Sequence, residues 1–158
     1  MVYDLMMYFE LDELDKQIIN LIIEDCNRSV RELSKILKKS PTLVSKRLQR
    51  LKELGIITKC EAVLDYKTLG YHIYSLIMLK VDGAHIEDVE KILSSEANVR
   101  AVYDITGEFD VALIALFKSV DELDRFIKRI LKNPYIKGSV TSIIFKAVKD
   151  DINIKLFS

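Results

Sequence analysis

The chain has 158 residues, of which 49% are apolar and 30% charged, and its formal net charge is zero. That is enough for one domain or two small ones with a buried core, and it excludes a disordered or low-complexity chain. No apolar run reaches the roughly 18 residues of a membrane span, and the opening MVYDLMMYFE carries Asp4 and Glu10 without a basic start, so neither a span nor a signal peptide is expected. Cys26 and Cys60 show no metal-ligand spacing. The expectation is therefore a reduced, cytoplasmic protein with two inert, partly buried thiols, no disulfide framework, no metal and no cofactor.

The neutral total hides a pattern. Residues 1–26 carry one basic and seven acidic side chains, a net −6. Residues 27–60 carry ten Lys/Arg and only Glu32 and Glu53, a net +8; residues 61–158 come to −2. One short basic stretch in a neutral chain is the footprint of a polyanion-binding element.

In chain order, Leu14, Ile18, Leu21 and Ile22 recur at helical spacing after Asp12, a capping residue, with Asp15 in the positive first turn. Ser29 with Glu32 three residues on predicts a capping box and a second helix bearing Val30, Leu33, Ile36 and Leu37. Ser40-Pro41 opens a third, ended by Gly55, with Val44, Leu48 and Leu51 inward. Thr42, Ser45, Lys46 and Gln49 share its other face, which makes the last two helices a helix-turn-helix. Ile56–Lys59 and Glu61–Leu64 are β-prone and suggest a wing or a strand leaving the head.

After a turn-like link at Asp65–Gly70 the pattern changes. Strands are expected over 72–81, 99–106, 111–117 and 139–148, with helices over about 85–96 and around Val120–Leu131. The order is βαββαβ, a ferredoxin-like arrangement. Ile152–Phe157 alternates like an edge or partner-crossing strand. The fold class is thus α+β: a winged helix-turn-helix over 1–62, a linker or strand over 63–71, and a ferredoxin-like domain over 72–158. Two helices on one side of four strands leave the other face bare, with Tyr74, Leu76, Ile114 and Leu116 as candidates to pair with a second copy.

Several segments resemble the Lrp/AsnC (leucine-responsive, feast/famine) family of transcription regulators over roughly residues 11–150. They are Leu11–Ile18, Arg28–Leu33, Ser40-Pro41-Thr42, Val44, Arg47, Leu51–Ile57 and Val102–Asp110. The resemblance implies the RAM-type effector domain, a homodimer assembling into tetramers or octamers, and an amino acid or similar effector bound between dimers near Gly107–Asp110. By position, Gly107, Glu108, Phe109 and Asp110 are the effector-site candidates, joined by Ser139 and Thr141, which match a Thr-x-Thr element. Tyr135 stands where the family reads glycine and is expected to narrow that pocket. Lys38 replaces a usual glycine in the turn of the head, and Leu43 a usual threonine in the reading helix.

The DNA-binding candidates divide by chemistry. Arg31, Lys38, Lys39, Lys46, Arg50 and Lys52 are cations for phosphates, Thr42, Ser45, Lys46 and Gln49 are groups that can reach base edges, and Arg28 and Ser40 complete the candidate set. Arg47 matches a family arginine and is expected to brace the helix or reach the backbone. An enzyme has little to stand on: His72 and His85 lie apart from any Ser or Cys partner, and no phosphate-cradling glycine loop occurs. The expectation is a sequence-specific regulator of double-stranded promoter DNA with an amino-acid effector and no membrane partner. The alternatives are a metabolite-sensing module that binds no DNA and an architectural DNA-binding protein.

Overall fold

The computed structural model describes residues 10–154 and 156; the opening MVYDLMMYF, Lys155, Phe157 and Ser158 lie outside the described residues. The chain divides into two compact units, residues 1–63 with 150–158 and residues 64–149. Residues 150–154 group with the helices.

The first unit holds α1 (Glu13–Glu24), α2 (Val30–Leu37) and α3 (Pro41–Glu53). Each begins on a side-chain cap that satisfies amides the helix leaves unpaired: Asp12 accepts from the Asp15 amide, Ser29 from Glu32, and Ser40 from Leu43. Asp12–Asp15 and Ser29–Glu32 are both reciprocal capping boxes. Ile18, Ile19, Leu33, Val44 and Leu51 form the core, flanked by half-buried Leu14, Ile22, Leu48 and Ile57. The α2–α3 turn passes through Lys38 at φ 52, the left-handed region a glycine would enter freely.

The second unit holds β1 (Ile73–Val81), α4 (Ile86–Ser94) after a 3-10 turn at Gly83–His85, β2 (Val99–Asp104), β3 (Val111–Phe117), α5 (Val120–Ile130) and β4 (Ile136–Ile143). The strand order β2-β3-β1-β4 with every pairing antiparallel is the ferredoxin-like sheet. Ile77, Leu79, Leu113, Ala115 and Phe117 meet Val89 and Leu93 of α4 and Leu123, Phe126 and Ile130 of α5. The alternate positions Tyr74, Leu76, Met78 and Ile114 face the other way and stay half-buried, because no helix covers them.

Three expectations are corrected. The β-prone 56–64 stretch forms no strand; only Ile57 anchors it to the core, and residues 58–64 are exposed. The final strand lies at Ile136–Ile143 instead of 139–148, and residues 152–154 are not in a strand. Cys26 and Cys60 are joined in a disulfide, where two separate thiols were expected. Packing of the head brings the two Cα atoms to 5.8 Å, a distance a disulfide spans.

Candidate nucleic-acid interface and effector loop

The surface of α3 has two characters. Thr42, Ser45, Lys46 and Gln49 are all exposed on one side, and the Gln49 amide donates to Glu53 at 2.9 Å. Arg31, Lys38, Lys39 and Lys52 are exposed around them. These side chains are short and polar or long and cationic, which suits base edges and phosphates respectively.

Arg47 and Arg50 behave differently. Asp15 is fully buried, and its carboxylate accepts from Arg47 Nη1 at 3.2 Å and from Arg50 Nη1 at 2.8 Å. Arg47 also pairs with Asp12 at 2.6 Å. The two arginines thus fasten α3 to the start of α1. The bond to Asp12, more than any other contact, raises the Arg47 pKa still further. Asp12 in turn is held below the ordinary carboxylate range, first by the Asp15 amide and then, against the cost of burial, by Arg47.

Arg28 is drawn inward as well. Its guanidinium donates to the Leu21 carbonyl at 2.6 Å and to Glu24 at 3.0 Å, closing the end of α1. Ser40 acts as the α3 cap. The sequence-predicted set therefore separates into a solvent-facing group and a group that holds the helices together. Sequence reading gave Asp15 only a helix-dipole role. Its spacing of three from Asp12 was the visible signal, whereas its burial comes from α3, some thirty positions later.

The effector candidates gather at one end of the sheet. Gly107 has φ 124, a conformation that glycine adopts without strain, in the loop between β2 and β3. The Asp110 amide donates to Leu79 O at 3.0 Å, and Asp110 Oδ2 accepts from the Val81 amide at 2.7 Å. The carboxylate thereby ties the loop to β1 where the β1–β4 register shifts. On the far side of β1, the Tyr135 carbonyl accepts from the Asp82 amide at 2.8 Å. The Tyr135 ring stacks on His85, with centroids 3.6 Å apart and planes 16° apart. Ser139 lies opposite Leu79, and Thr141 opposite Ile77, further along β4. Glu108 is exposed and Phe109 half-buried. His85, which sequence reading left without a partner, covers the Tyr135 ring.

Among the described residues no group of three or more His, Cys, Asp or Glu is placed to hold a metal, and no helix is long and apolar enough to cross a membrane.

A three-helix head with a basic reading helix, joined to a ferredoxin-like sheet whose loops cluster at one end, defines a two-domain DNA-binding regulator. Family models agree with both halves. A winged helix-turn-helix DNA-binding model matches residues 11–58, and the Lrp/AsnC ligand binding domain matches residues 75–154. An uncharacterized HTH-type transcriptional regulator of Pyrococcus furiosus is 34% identical over 92% of this chain and 99% of its own length. The HTH-type transcriptional regulator FL11 of Pyrococcus horikoshii is 31% identical over 95% of this chain and 99% of its own. LrpC of Bacillus subtilis superposes with a TM-score of 0.81 at 28% identity, over 89% of this chain and 98% of that one. A Neisseria meningitidis transcriptional regulator in complex with L-Met shares the fold, with a TM-score of 0.87 at 22% identity over 92% of this chain and 96% of its own. The chain belongs to the Lrp/AsnC family of transcription regulators.

Proposed function

We propose that the chain is a sequence-specific regulator that reads promoter DNA with Thr42, Ser45, Lys46 and Gln49 on α3. Arg31, Lys38, Lys39 and Lys52 hold phosphates around that face, while Arg47, Arg50 and Arg28 keep the helices at their angles. The observation that carries this reading is the exposed polar face of α3 inside the +8 segment. The half-buried apolar side of the sheet, centred on Tyr74, Leu76 and Ile114, packs against a second copy and so presents two heads to a two-fold site. Dimers assemble further through the same unit.

The effector is an amino acid or a similar small molecule bound at the Gly107–Asp110 end of the sheet. Support comes from the ligand-binding family model and from the L-Met bound to the Neisseria relative. One Asp110 oxygen is already engaged by Val81, so loop shape and ligand recognition are linked through that carboxylate. The Tyr135–His85 stack narrows the pocket from the β4 side and favours a small effector. No step in this reading requires catalysis.

The test is fluorescence-anisotropy titration against the DNA upstream of the chain's own gene, with scrambled DNA beside it and salt varied. A preference of about 10³ or more establishes a specific regulator, and the salt slope counts phosphates. Equal, salt-sensitive binding to both DNAs supports an architectural protein instead. No binding at low salt leaves a metabolite module.

A further inference from the structure

The disulfide lies outside every role assigned above. It joins the turn after α1 to the stretch leaving α3, across a sequence separation of 34 residues, so the closed loop contains all of α2 and α3. The bond is a staple around the very helix pair that carries the reading face. What it staples is small. Among the described residues, five buried apolar side chains make up the core of the head. A helical domain of fewer than about 60 residues with such a core is marginally stable by itself.

The two sulfurs differ in access. Cys60 is exposed on a stretch that has left the core, with its Sγ 4.0 Å from Asn27 Oδ1, while Cys26 is half-buried. An attacking thiolate therefore meets Cys60 first. Both cysteines of the chain lie in the head, and the sheet unit contains none.

We propose that the Cys26–Cys60 pair is a redox-sensitive clamp on the folding of the DNA-binding head, opened by a dithiol reductant, so that thiol state decides whether the head holds its DNA-competent form. The proposal rests on the DNA-binding reading above. In the opening step a thiolate of the dithiol attacks Cys60 Sγ, the Cys26–Cys60 bond breaks, and Cys26 leaves as thiolate. The second thiol of the reductant then attacks the mixed disulfide and releases Cys60. The reductant ends as its disulfide, and the protein has gained two electrons and two protons. Closing a loop of this length shifts the unfolding equilibrium of the head by roughly 10²–10³-fold. Between the melting temperatures of the two forms, reduction therefore unfolds the head while the sheet remains folded.

The experiment uses the full chain in three forms: oxidised, treated with a dithiol, and the Cys26→Ser/Cys60→Ser variant. Thiols are counted by alkylation and mass, melting is followed by circular dichroism, and binding to the upstream DNA is measured by anisotropy across temperature. The expected result is no alkylation of the oxidised chain and two alkylated thiols after reduction. The head transition should fall on reduction while the sheet transition, the internal reference, stays fixed. DNA affinity should drop by about 10–30-fold midway between the two midpoints, return on reoxidation, and be blind to the dithiol in the double variant.

Two free thiols in the chain after mild oxidation overturn the proposal. So does an equal dithiol effect on the serine variant, or DNA affinity that ignores thiol state at every temperature. If the oxidised chain binds no DNA while its melting still responds to the dithiol, the DNA reading fails together with the redox control of binding, and a folding clamp alone survives.

Discussion

At the scale of single residues, Asp15 and Lys38 lead to opposite expectations. Asp15 is a buried carboxylate with two arginine partners, and deleting it takes that acceptor from both, leaving Arg47 its contact with Asp12. Asp15→Ala should lower the stability of the head by about 2–3 kcal/mol in urea unfolding, since a broken buried pair costs far more than a surface one. Lys46→Ala, on the exposed side, should leave stability unchanged and weaken DNA binding. Lys38 holds a left-handed backbone that costs any residue with a Cβ. Lys38→Gly should therefore raise stability by about 0.5 kcal/mol, the relief of strain being partly offset by glycine's greater chain entropy. The same change removes one cation, and the salt slope of DNA binding should fall by about one unit if Lys38 meets a phosphate.

At the scale of elements, the capping boxes connect stability to pH. Glu32 is held below the ordinary carboxylate range, mainly by the Ser29 amide and then by the Ser29 hydroxyl, as Asp12 is by the Asp15 amide. A carboxylate whose pKa is lowered by folding stabilises the folded head once it is ionised, and that contribution vanishes as pH falls through the folded value. The head should therefore hold its stability above about pH 5 and lose it progressively below about pH 4, where Glu32→Gln flattens the fall. Ser29→Ala should cost about 1 kcal/mol by removing the α2 cap. These elements were the legible part of the sequence, because a cap residue, its partner three positions on and a 3.6-residue apolar stripe are local signals. Arg47 and Arg50 were harder to place. They are polar residues beside Val44 and Leu51 on the buried side of α3, and only the docking of α1 shows that Asp15 waits there. The 56–64 stretch forms no strand for a related reason. The stretch has β propensity, but no strand among the described residues of the head offers it a ladder, and propensity without a partner forms no sheet. The cysteine pair had no spacing signal at all, since its pairing is a product of the tertiary fold.

At the scale of the whole molecule, the ferredoxin-like sheet was readable from element order, whereas the use of its second face was only implied. Leu76 sits at the centre of that face, opposite Ile114 on β3 and Ser142 on β4. If two copies pack there, Leu76→Glu places a charge at a desolvated contact. The variant should elute as a monomer in size-exclusion chromatography with light scattering. Its affinity for a two-fold DNA site should fall by about 10²-fold, because the second head loses its effective concentration, while its melting stays near that of the parent. A variant that remains a dimer rules out this face as the contact.

The link between Asp110 and Val81 gives the effector domain an internal indicator. The Val81 amide donates to the side-chain carboxylate of Asp110, at the point where β1 and β4 slip in register. Anything that draws Asp110 toward a bound ammonium group lengthens that bond and leaves the amide proton more weakly held. In a nitrogen–proton correlation spectrum the Val81 peak would then move upfield, and its exchange with deuterated solvent would quicken, before any change reached the helical head. If the effector binds at that loop, one backbone proton makes its arrival visible to a spectrometer without an added label on the loop.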